Sequence, residues 1–166
     1  TDPMPYFTAP EALPMEKLDA VVLTHAHLDH AGMLPVLFRY GYRGPVYCTP
    51  PTRDLMLLLQ SDYLKVGGSE GKRAPYDMED IRTCMRHVVD VDWGQTVDIT
   101  PDVKLTFHNA GHILGSSSVH LHVGDGKHNI VFSGDQKYEK SWLFDAANTR
   151  FPRCETLVIE STYGAS

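Results

Sequence analysis

Residues 20–30 read Ala20-Val21-Val22-Leu23-Thr24-His25-Ala26-His27-Leu28-Asp29-His30. The first four form a short apolar run of the kind that makes a buried strand, and a strand is predicted over 17–24. A helix is predicted over 31–40, with Gly41 where a stop belongs. Between the two lie three histidines and an aspartate. In extended chain, alternate residues share a face. His25 and His27 therefore point the same way, Asp29 continues the row, and His30 turns off at the helix entry. Imidazole nitrogen with carboxylate oxygen is a donor mix that suits zinc. One metal fits His25 and His27; a second fits Asp29 and His30. A plain solvated loop does not account for four candidate ligands packed this closely behind a buried strand.

Four residues cannot complete two metal sites, so further ligands must come from elsewhere. His112 follows a strand pattern in Gly111-His112-Ile113-Leu114-Gly115, where small residues permit close backbone approach. Asp135 follows the apolar run Ile130-Val131-Phe132 in Ser133-Gly134-Asp135. Each, taken alone, also reads as an ordinary turn residue. A strand-end carboxylate has two oxygens and can bridge two metals. His120 and His122 share one strand face and are expected to pack or to hydrogen-bond a ligand from behind. His87, His108 and His128 are expected to be structural or exposed.

The chain has 166 residues, 42% apolar and 22% charged. That is one domain's worth, able to bury roughly 70% of its unfolded surface, and too apolar for disorder. No apolar run is long enough to span a membrane, and no secretory leader pattern opens the chain. Fifteen Lys and Arg against 21 Asp and Glu give a net charge of −6. Such a balance disfavours non-specific binding to nucleic acid, though not a local basic groove or a basic partner domain. Lys65, Lys72, Arg73 and Arg82 are the one loose basic grouping and read as solvated surface. Cys48, Cys84 and Cys154 form no CxxC pair and are expected to be reduced thiols of a cytoplasmic protein.

Residues 1–16, with four prolines, read as an irregular lead-in. A strand is expected over 45–49, then a helix from Pro50 carrying Leu55, Leu58, Leu59 and Tyr63. Residues 66–75 read as an exposed connection. Asp77 caps a further helix with Ile81, Met85 and Val88 on one face. Strands are expected over 87–92, 96–100, 103–110, 117–123, 129–133 and 156–160, with a hairpin turn at Gly124-Asp125-Gly126. The fold class is α/β (α+β), and the preferred architecture is a four-layer sandwich with helices outside two sheets.

These residues resemble the metallo-β-lactamase-fold hydrolases. The run from His25 to His30 is similar to that superfamily's HxHxDH signature, and His112 and Asp135 match its next two ligand positions in order. The segment 111–118, the Ser133-Gly134-Asp135 turn and Glu160-Ser161-Thr162-Tyr163-Gly164 look like the β-CASP branch, nucleases that process nucleic acids. Segments 41–49, 51–55 and 109–115 look most like the archaeal members of the cleavage and polyadenylation specificity factor family. The similarity runs over 17–164, so that 17–166 is expected to be a metallo-β-lactamase domain incomplete at both ends, stopping where a β-CASP cap begins.

The resemblance implies a zinc-dependent ribonuclease of the 3′-end-processing or transcription-termination type. His25, His27 and His112 would bind one zinc, Asp29 and His30 a second, with Asp135 bridging. Water held between the metals would attack an RNA phosphodiester. Asp29 and Asp135 would act at the reacting centre, and Glu160 would support a proton-donor histidine. Both endonuclease and 5′-to-3′ exonuclease action occur among such relatives. The implied partners are RNA, mainly single-stranded, together with cap and KH-type domains of the parent chain and a second copy as homodimer; no membrane is implied. Two departures stand out. The family's downstream ligand and proton-donor histidines lie beyond Ser166, and nothing before Lys17 resembles the strand of the superfamily's first motif. Gln136 stands where an aromatic residue is common and is expected to matter little. The first zinc site is thus complete in this chain and the second lacks a histidine, so tight and weaker binding are expected. The rival readings are a small-molecule hydrolase of the same fold, such as a thioesterase or lactonase, and a scaffold paralogue without activity.

Overall fold

The computed structural model describes residues 15–69, 71, 74–162 and 164. The proline-rich lead-in up to residue 14, Lys72 and Arg73 of the basic grouping, and Tyr163 lie outside the described residues.

A helical layer and two sheets stack on one another. The first sheet is parallel, in the order β1 (Val21–Val22), β2 (Val46–Cys48), β3 (Val88–Asp90). Parallel strands need crossovers, and helices supply them. They are α1 (Leu28–Ala31), α2 (Leu34–Arg39), α3 (Pro50–Ser69) and α4 (Met78–Arg86). Alternation along β2 sorts the core. Val46 and Cys48 pack with Phe38, Tyr42, Met56 and Cys84 of the helical side. Tyr47 and Val22 face the other way, against Leu105, Phe107, Val119 and Leu121. Those four residues belong to the second sheet. Its strands run in sequence order: β4 (Thr96–Thr100), β5 (Val103–Asn109), β6 (Ser117–Val123), β7 (His128–Phe132) and β8 (Thr156–Val158). Neighbours are antiparallel until β8, which lies parallel to β7. The outer face of this sheet meets segment 145–154, where Phe151 packs edge-on against His108 and His120. The layers match the helix–sheet–sheet part of the expected sandwich.

Several expectations need correction. The strand expected over 17–24 pairs as a strand only at Val21–Val22, and residues 15–17 form a 3₁₀ turn. The helix expected over 31–40 starts earlier, at Leu28, and breaks between α1 and α2. Of the stripe expected on α3, Leu58 and Tyr63 are exposed, while Thr52, Met56 and Gln60 are buried. The two polar members go inside because backbone acceptors await them: Gln60 Nε2 donates to Ala31 O at 2.8 Å and Thr52 Oγ1 to Gly115 O at 3.0 Å. The connection expected over 66–75 begins only after α3 ends at Ser69. Val88, expected on the last helix, lies in β3. Asp77 does cap α4, in a reciprocal capping box with Asp80, and Arg39 of α2 bonds both carboxylates.

Candidate metal centre

The sheets bring three short segments to one edge: the link from β1 to α1, the loop between β5 and β6, and the turn after β7. His25 lies in the first, fully buried, and Thr24 Oγ1 meets its Nδ1 at 3.1 Å. Its Nε2 lies 3.1 Å from Nδ1 of His27, the residue just before α1. His112 comes from the second segment, and its Nε2 lies 3.2 Å from the same His27 atom. Asp135 comes from the third. Its Oδ2 is 3.4 Å from His112 Nε2 and 3.7 Å from His25 Nε2. One donor atom from each of His25, His27, His112 and Asp135 falls within 4.8 Å of every other. Burial, together with His30, His27 and His112 nearby, pushes the His25 pKa down to about 3, against a smaller opposing pull from Asp29. The ring is therefore neutral near pH 7, the form that binds metals. Three imidazoles and one carboxylate fit the tetrahedral coordination of zinc.

A second, looser group adjoins the first. His30 Nε2 is 3.5 Å from Asp135 Oδ1 and 3.5 Å from Asp29 Oδ2. Asp135 thus presents one carboxylate oxygen to each group. Because α1 starts at Leu28, Asp29 does not continue the row of His25 and His27; the helix carries it outward, and its side chain is 78% exposed.

A profile of the beta-lactamase superfamily domain matches residues 1–165. The chain belongs to the metallo-β-lactamase superfamily. It is 58% identical over 160 residues to the transcription termination factor FttA of Methanosarcina mazei, which covers 96% of this chain and 25% of that protein. The factor of the same name from Methanocaldococcus jannaschii is 60% identical over 161 residues (97% and 25%), and that of Lokiarchaeum sp. 50% over 163 residues (98% and 26%). The chain spans about a quarter of the length of these curated relatives. Among solved structures, a protein of unknown function from Enterococcus faecalis aligns with a TM-score of 0.50 at 20% identity, covering 72% of this chain and 25% of that one, and shares the fold.

Residues not expected to take part in the site hold these three segments in place. Ser116 Oγ accepts the backbone N–H groups of His112 and Ile113 at 3.0 and 3.1 Å. Thr49 Oγ1, at the start of α3, donates to Gly115 O at 2.7 Å beside Thr52. Gly115 has φ +80°, and a Cβ there would stand 2.8 Å from Thr49 Oγ1 and from Thr52 N. Ser117 N donates to Thr24 O at 2.8 Å, tying the second segment to the first. The one signal for this lattice was the run of small residues at 115–118.

The remaining expectations divide. His120 packs against Phe151, His108 and His122, one of the two roles expected of it, and neither His120 nor His122 touches a candidate ligand. His120 Nδ1 is 3.4 Å from His108 Nε2, and His122 bonds Thr106 Oγ1 and Asn129 Oδ1 at 2.9 and 2.8 Å. Gln136, expected to matter little, donates from Nε2 to Ser118 Oγ at 2.8 Å and accepts from Tyr138 OH at 2.6 Å. Glu160 sits at the Asp135 turn, where its carboxylate accepts the Gln136 N–H. Cys48, Cys84 and Cys154 are free thiols, the first two buried. No helix among the described residues is long and apolar enough to cross a membrane.

Proposed function

We propose that this chain is the metal-binding part of a hydrolase that cuts RNA during transcription termination or 3′-end processing. The observation that carries the reading is the convergence of His25 Nε2, His27 Nδ1, His112 Nε2 and Asp135 Oδ2. The relatives named transcription termination factors point to the transcript as substrate. His25, His27, His112 and Asp135 would hold one zinc. Asp29, His30 and the other Asp135 oxygen would hold a second with fewer donors. When bound, zinc supplies a Lewis acid that lowers the pKa of water and offsets charge on a phosphate.

The chain's own residues do the positioning. Burial keeps His25 neutral, and the Thr24 contact turns its Nε2 into the site. Asp135 faces both groups, so one side chain fixes their separation. Asp29, at the exposed rim, accepts hydrogen bonds from an incoming water. The substrate class is single-stranded RNA, whose backbone can enter such an open site; with a net charge of −6, cations of partner domains would supply much of the phosphate binding.

The test is cleavage of a labelled single-stranded RNA by the product of the full reading frame that carries this chain. Zinc-dependent cutting with 5′-phosphate products is expected, reduced by at least about a hundredfold in Asp135→Ala. Cutting that survives this substitution unchanged contradicts the reading.

A further inference from the structure

Asp135 makes no hydrogen bond beyond its histidine contacts among the described residues, so its place is set by the chain on either side. That chain makes a tight turn. Gly134 has φ +57°, and a Cβ there would meet Thr24 Cβ at 2.9 Å and Ser117 O at 3.0 Å. Glycine adopts that conformation freely and lets Thr24 and Ser117 close on the turn, so the contacts of the flanks fix where Asp135 stands.

Glu160 grips both flanks. Its backbone N–H donates to Ser133 Oγ at 3.0 Å, just before the turn. Its Oε1 accepts the backbone N–H of Gln136 at 2.9 Å, just after it. Ser133 N donates in turn to Val158 O at 2.9 Å, anchoring the grip to β8. Gln136 Nε2 and Ser118 Oγ close a parallel thread back to Ser133 O, the second bond at 3.0 Å. Thr162 N approaches Glu160 Oε2 at 3.4 Å, and these donors hold the carboxyl below its usual range.

We infer that Glu160 is a positioning residue for Asp135: its carboxylate fixes the 133–136 turn and thereby the geometry of the metal centre, independently of any histidine it supports elsewhere. The inference rests on the metal reading above. Outer groups that orient a ligand typically govern metal affinity by about 10–100-fold.

Zinc affinity of the purified chain, by competition with a chromophoric chelator, separates the possibilities. Cobalt(II) absorption reports the coordination geometry. Glu160→Gln keeps an oxygen acceptor and is expected to bind zinc within about threefold of the unsubstituted chain. Glu160→Met keeps the bulk without the acceptor and is expected to bind about tenfold more weakly or worse, with an altered cobalt spectrum. Glu160→Asp, a milder change to the fold, shortens the reach to Gln136 and is expected to weaken zinc at least about fivefold. Should Glu160→Met not fold, Glu160→Asp decides. Zinc affinity and cobalt spectrum unchanged in the folded variants overturn the positioning role. An unsubstituted chain that binds no zinc overturns the metal reading itself.

Discussion

Burial holds His25 and His120 neutral in two separate regions of the fold. His25 faces the candidate metal centre; His120 lies on the outer face of the second sheet, 1% exposed, beside His108 and His122. Burial first, then His122 and His108, pushes the His120 pKa down to about 4. An unfolded histidine titrates near 6.5. Between these values the unfolded chain binds the proton and the folded chain does not. The stabilising contribution is therefore fully present above pH 6.5 and is lost as pH falls towards 4. In chelator, the melting temperature is expected to drop by several degrees over that interval, and His120→Asn is expected to flatten the drop. His25, whose pKa is lowered to about 3, adds to the same slope in both proteins. Equal slopes in melts at matched ionic strength contradict this account. The candidate donors were legible residue by residue in the run from His25 to His30, and His25 and His27 do converge. The direction of Asp29 was not, because the helix begins one residue before it and turns that side chain to the surface.

Strands joined by hairpins followed their sequence patterns closely. β4 and β6 have the bounds that alternation predicts, because each turn fixes its register. β1 did not: a continuous apolar run says that a segment is buried, not where its pairing ends. The inward stripe of α3 was illegible for a different reason. Hydropathy sends Thr52 and Gln60 outward, yet Gly115 O and Ala31 O, distant in sequence, draw them in. That joint between α3 and the His112 loop is close enough to test. Gly115→Ala sets a Cβ against Thr49 and Thr52 at a positive φ, so a loss of about 2–3 kcal/mol is expected with weakened metal binding. Denaturant unfolding checks the first and zinc competition the second; a variant as stable as the parent contradicts the joint.

The whole molecule is a scaffold that delivers distant residues to one edge. His27 and His112 are 85 positions apart and their ring nitrogens 3.2 Å apart. No local spacing encodes that meeting. It follows from the order in which the strands pair, and the family resemblance anticipated it where periodicity could not. The change from a helical to a strand-rich half was legible, as was the layering of helices on sheets. The exposure of β8, whose Leu157 and Val158 are apolar, was not, because composition marks such a strand as buried. The central claim is that Asp135 stands between two unequal donor groups, one of four ligands and one of three that shares Asp135. Counting zinc by elemental analysis and chelator competition on the purified chain tests it most directly. The account predicts one tightly held zinc per chain, lost in His112→Ala, and a second held distinctly more weakly. Two equally tight zincs, or none, would contradict it.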